Sequence, residues 1–246
     1  MRNLVKSKNR RCAFTLAEVL VTLGIIGVVS AMTVPSLMSN YRNQSYTTQL
    51  HKVYSEFQQA AQSQITSKNA VNLLEAGVRS DTAMGTFLAN QFKIVKTCTG
   101  SPSDCLATNY RNINGGSVTV FSDATAPCVV IASGAAICAK YSVSSPTADG
   151  VLGTLSPDYI PNLVGDLIVD VNAQKGPNIV GRDLFVLGIY SDGTLRSALP
   201  GARVSEPGAP VLTNLAKCKS ASSMARQSNA AYCFNEIIDN NWKMNY

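Results

Sequence analysis

The chain has 246 residues, enough for one sizeable domain with an appendage, and its 46% hydrophobic and 15% charged content excludes a disordered polymer. Its formal net charge of +6 points first to a polyanionic partner, yet Arg2, Lys6, Lys8, Arg10 and Arg11 stand among the first thirteen residues with no acid beside them and supply all but one of those charges. The remainder is nearly neutral, so no nucleic acid is indicated as a partner of the bulk of the protein.

After this basic leader (1–13) comes an almost wholly apolar run from Phe14 to Met38, long enough to cross a hydrocarbon core of ~30 Å. The cluster of cations before it keeps the N-terminus cytoplasmic and sends everything beyond Met38 outward. Three readings compete. A plain signal-anchor is one; a secretory signal peptide is another, since Val29 and Ala31 are spaced for cleavage after Ala31, which would release a periplasmic protein. Neither gives a use to Glu18, the single charge of the run, although a carboxylate in an apolar span carries a cost and marks a functional position.

The third reading gives Glu18 a use. The stretch Ala13-Phe14-Thr15-Leu16-Ala17-Glu18 resembles the processing site of type IV prepilins and of type II secretion pseudopilins, in which a short basic leader is cut before a Phe and a Glu follows as the fifth mature residue. Pro35, the twenty-second residue from Phe14, stands where that family commonly has a helix-kinking proline, whereas Ala13 replaces the family's usual Gly. The resemblance covers about fifty residues. It implies a prepilin peptidase cutting between Ala13 and Phe14, N-methylation of Phe14, and a retained helix that anchors the chain in the bacterial inner membrane lipid and later enters a filament with other pilin or pseudopilin subunits on an inner-membrane assembly platform. On that reading Glu18 pairs with the Phe14 amine of a neighbouring subunit across the low-dielectric bundle and sets axial register.

Beyond Pro35 the helical pattern continues and becomes amphipathic, with Leu50, Val53, Tyr54, Phe57, Ala61 and Ile65 three or four residues apart. A helix from Phe14 to about Ile65 would be roughly 75–80 Å long, half of it in the membrane (14–38) and half packed on a head (39–246). His51, the only histidine, lies in this second half; with no other imidazole there is no Ser-His-Asp or Cys-His nucleophile, and no P-loop, nucleophile elbow or zinc motif is present, so no enzyme is expected.

Ser80-Asp81 suits the start of a second helix, expected to run to just before Cys98 with Phe87, Leu88, Phe92 and Val95 as its apolar side. Short Val/Ile/Phe-rich runs then predict an antiparallel sheet: Ser117–Phe121, Cys128–Ala132, Ala135–Ala139, Asp166–Val171 and Asp183–Tyr190. A tight loop at Ala132-Ser133-Gly134 would set Cys128 opposite Cys138, and Ser191-Asp192-Gly193 predicts a turn into Thr194-Leu195-Arg196.

The segment Asp170–Phe185 resembles a loop of pilin-like heads. Asp170, Asn172, Gln174 and Asp183 offer hard oxygens in a spacing distantly similar to a calcium loop, but no acid closes an EF-hand pattern. The alternative is a turn ordered by Asx hydrogen bonds and Gly176. Leu199–Tyr246 opens with prolines and glycines and closes on an aromatic tail containing Trp242 and Tyr246. Its Cys-bounded loop resembles the exposed loop of pilins, which is either a contact surface or a stapled edge.

Apart from Cys12 in the leader, the cysteines are Cys98, Cys105, Cys128, Cys138, Cys218 and Cys233. An even number without zinc-knuckle spacing predicts disulfides in an oxidising compartment. Nearest-neighbour bridges would close three short loops, although sequence alone does not determine the connectivity. The expected fold is therefore α+β and pilin-like: a long N-terminal helix packed on an antiparallel sheet, with a disulfide-stapled C-terminal region. The resemblance implies a structural filament subunit of the minor kind, and the alternative is an adhesive or surface-binding module on a pilin anchor.

Overall fold

The computed structural model describes residues 15–98, 100–143, 160–199, 214–225 and 228–246. Ala13, Phe14 and the leader lie outside them. The chain divides into two compact units, Met1–Arg42 and Asn43–Tyr246.

Helix α1 spans Leu16–Ser67 and runs through Pro35. In the first unit its large apolar side chains are exposed, Leu16, Leu20, Ile26 and Leu37 among them. In the second unit Thr47, Leu50, Val53, Phe57, Ala60 and Ala61 are buried, a stripe at three- and four-residue intervals that faces the sheet. Helix α2 (Asp81–Gln91) starts as expected on Ser80, whose side chain accepts a hydrogen bond from the Ala83 amide.

It ends sooner than expected. Phe92 is extended, and Ile94–Cys98 is strand β1, so Val95 lies on a sheet edge and is 71% exposed rather than on an apolar helix face. The physical reason is tertiary: this segment pairs antiparallel with β4 (Cys128–Ile131).

Strands β5 (Ala136–Tyr141), β6 (Leu163–Asp170), β7 (Leu184–Tyr190) and β8 (Leu195–Arg196) complete a six-stranded antiparallel sheet in the order β1-β4-β5-β6-β7-β8. The expected run Ser117–Phe121 contributes only a short strand, β3 (Ser117–Val118). It pairs with β2 (Tyr110–Arg111) in a separate ladder instead of joining the main sheet. The turn at Ser191–Gly193 packs on α1: Gly193 has φ +82°, and a Cβ there would lie 2.9 Å from that of Ala61. Phe57, Phe87 and Phe92 form an aromatic cluster between the helices and the sheet, with Phe57 and Phe87 centroids 5.5 Å apart.

The C-terminal region holds two helices that the sequence reading missed. These are α3 (Leu215–Lys219), capped by the Asn214 side chain, and α4 (Ala231–Asp239), which buries Cys233, Phe234 and Ile237 and packs on α3 and β7.

Candidate functional site

The first turn of α1 is built around one carboxylate. The Thr15 amide donates to Glu18 Oε2 at 2.8 Å, the Thr15 hydroxyl donates to the same oxygen at 2.9 Å, and the Glu18 amide donates to Thr15 Oγ1 at 3.2 Å. This reciprocal set is a capping box. Its signal in the sequence is a Thr followed three residues later by a Glu at the head of an apolar run, which the charge reading of Glu18 alone does not reveal. Polar groups further along are also satisfied internally: the Thr22 and Thr33 hydroxyls donate to the Val19 and Val29 carbonyls, each at 3.0 Å. By length and composition α1 contains a stretch able to cross a membrane. Pro35 sits inside the same helix and lacks the amide that would bond to the Ala31 carbonyl.

Residues 8–34 match the family model for the prokaryotic N-terminal methylation motif. That motif is the prepilin signal of type IV pilins and pseudopilins. It covers the Ala13–Phe14 junction, Thr15 and Glu18, and ends one residue before Pro35. No curated protein and no solved structure matches the chain. The methylation motif supports a pilin-like or pseudopilin-like precursor, and it implies processing by prepilin peptidase and assembly with other pilins.

The head carries the remaining candidates. Cys98–Cys105, Cys128–Cys138 and Cys218–Cys233 are joined, with Cα separations of 5.9, 4.1 and 4.9 Å. The last bridge packs on the 170–185 loop. Gly181 has φ +88°, and a Cβ there would lie 2.9 Å from Cys233 Sγ and 3.0 Å from Cys218 Sγ.

Within that loop Asp170 and Asp183 are fully buried. Asp170 Oδ2 accepts from the Tyr110 hydroxyl at 2.5 Å and Oδ1 from the Asn172 amide at 3.0 Å. Asp183 Oδ1 and Oδ2 accept from the Ile179 and Asn178 amides at 2.6 and 2.7 Å. All four carboxylate oxygens therefore have a donor. Gln174 reaches away, its amide donating to the Ser103 carbonyl at 2.8 Å. The Oδ1 atoms of Asn172 and Asn178 are buried without a hydrogen-bond donor. Burial pushes the Asp170 carboxyl up to about 8 and Asp183 up to about 6; repulsion from Asp183 adds to the first, and backbone amides partly offset the second. Tyr110 is also raised, by burial and then by the Asp170 charge. In chemical terms the cluster locks a turn: it ties the loop to β2, where the Arg111 amide donates to the Asn178 carbonyl and the Val180 amide to that of Arg111.

Trp242 is half-buried and makes edge contacts with His51, Tyr54 and Phe234 at 4.3, 5.1 and 6.2 Å. That places both Trp242 and the lone histidine in the packing of the tail on α1. The Tyr246 hydroxyl donates to the Gly181 carbonyl at 2.7 Å, which anchors the same tail to the loop.

Proposed function

We propose that the chain is a structural subunit, of the minor kind, of a type IV pilus or type II secretion pseudopilus. Prepilin peptidase cuts between Ala13 and Phe14, Phe14 is N-methylated, and the apolar first unit stays in the inner membrane with the head periplasmic until an assembly platform moves it into the filament. The single observation that carries this reading is the methylation motif over residues 8–34 with Glu18 inside the apolar helix.

Two features of the described residues support it. The apolar side chains of the first unit are exposed, as a surface for lipid or for neighbouring helices requires. The 204-residue second unit, Asn43–Tyr246, is larger than a minimal head, which favours a minor or tip position over the bulk subunit. Glu18 then has two successive roles. Thr15 satisfies it in the single chain, and the Phe14 amine of a neighbour attracts it once helices bundle.

Mass spectrometry of the mature N-terminus is the direct test. Methyl-Phe14 is expected; an N-terminus at Met32 or an intact Met1 overturns the reading. Glu18→Gln is expected to insert into the membrane at the normal level but to be lost from sheared filaments, and filament incorporation equal to wild type would refute the role of the charge.

A further inference from the structure

A groove of about 340 Å³ opens on the head between α1, the end of α2 and the β4–β5 turn. It plays no part in the processing signal or in the 170–185 loop. Its volume lies at the small end of the range for ligand sites, the size of one or two compact rings.

The floor is apolar. Ala60 and Ile131 are buried, and half-buried Phe92 is held from behind by Phe57 and Phe87, at centroid distances of 5.9 and 6.3 Å. The rim is polar and rich in groups that both donate and accept. Gln59 and Ser63 come from α1, Gln91 from the end of α2 and Ser133 from the β4–β5 turn. Gln91 is held in place by its amide donating to Gln64 Oε1 at 3.1 Å. Two walls are joined where the Ala132 amide donates to the Lys93 carbonyl at 2.8 Å, so the groove is formed before any ligand arrives.

Its charges exclude several ligand classes. One carboxylate, Glu56, and one ammonium, Lys93, line it, and Glu56 lies 3.9 Å from Lys52 along α1. One lysine in a lining that also holds a carboxylate makes a poor anion site, and one carboxylate paired with Lys52 makes a poor cation site. What remains suited is a neutral ligand with an apolar face and several hydroxyls. Two side-chain amides and two serine hydroxyls can satisfy vicinal hydroxyl groups, while the C–H face of a ring lies on the half-buried Phe92.

We propose that this groove binds a neutral pyranose sugar, and that the head therefore recognises a glycan in addition to serving as a filament component. The test uses the full chain in lipid nanodiscs, free of glycoside detergents. The probes are the methyl glycosides of glucose, galactose, mannose and the N-acetylhexosamines, read by saturation-transfer difference NMR. At least one glycoside is expected to bind in the millimolar range, with affinity about tenfold weaker in Gln59→Ala and binding lost in Ser63→Phe, a substitution at an exposed position that fills the groove. Both variants are expected to melt with the wild type. No saturation transfer from any glycoside at about 20 mM, or binding undiminished in either variant, overturns the proposal.

Discussion

Asp170 is a carboxyl group with protein on every side, and Asp183 faces the same interior. Both fold to a raised pKa, so folding takes up protons. The stabilisation this brings is complete below the unfolded value near 3.8 and is lost as pH rises through about 6 and then about 8. A melting temperature several degrees higher at pH 5 than at pH 8.5 is therefore expected by differential scanning fluorimetry, with a flatter profile in Asp170→Asn; a wild-type profile rising over that interval would contradict it. Because each of the four carboxylate oxygens already accepts an N–H or O–H, and the two free amide oxygens of Asn172 and Asn178 carry no charge, calcium and a chelator are expected to leave the melting temperature within about 1 °C of each other. The Asx alternative was legible in the sequence from Asp170, Asn172 and Gly176. Tyr110 was not, because it stands sixty residues from Asp170 and no local pattern links them. Thr15 is legible in the sequence, because a capping box is local by nature and Thr15 stands three residues before Glu18.

At the scale of elements, α1 does two jobs with one backbone conformation, and the division shows in its side chains. The described apolar side chains of the first unit are exposed, whereas in the second unit one apolar stripe runs along the helix, and that stripe is buried. Phe57 is its centre, fully buried and in contact with Phe87 and Phe92. Phe57→Ala is expected to destabilise the head by about 3–5 kcal/mol in chemical denaturation, while Val95→Ala, at an exposed edge position, is expected to change stability by less than about 0.5 kcal/mol. Such a contrast checks the placement of residues 92–98, where the sequence reading failed. Phe87, Leu88, Phe92 and Val95 satisfy a helical spacing, and nothing local opposes it. The helix stops because β4 offers Ile94–Cys98 a partner from thirty or more residues away. The β4–β5 hairpin was legible for the opposite reason: its partners are close in sequence and joined by a turn with Gly134 at φ +93°. Helix α4 fell between these cases. Its apolar residues Phe234, Ile237 and Ile238 have helical spacing, but the run is short and begins beside a cysteine, and no element is expected there from sequence.

At the scale of the molecule, the cysteine connectivity shows best what sequence leaves open. In the sheet Cys98 is the register partner of Cys128, and Cys128 of Cys138, so three cysteines stand in a row across β1, β4 and β5. Either neighbour was available to Cys128. The structure joins it to Cys138 and turns Cys98 back to Cys105 through the short segment after β1. Every bridge thus links a cysteine to the next one along the chain, seven, ten and fifteen residues on, and no loop encloses another. This order bears on biogenesis. On the proposed periplasmic placement of the head, the thiols of a chain threaded outward are exposed one at a time, and an oxidase that couples each new thiol to the one already waiting makes this set of bridges. Peptide mapping of protein from cells lacking a disulfide isomerase is expected to show the same three bridges as wild type, and protein from cells lacking the oxidase is expected to remain reduced; shuffled pairs in the first strain would refute the idea. On that placement, each bridge can close before the next pair of cysteines emerges, so the head matures in step with its export.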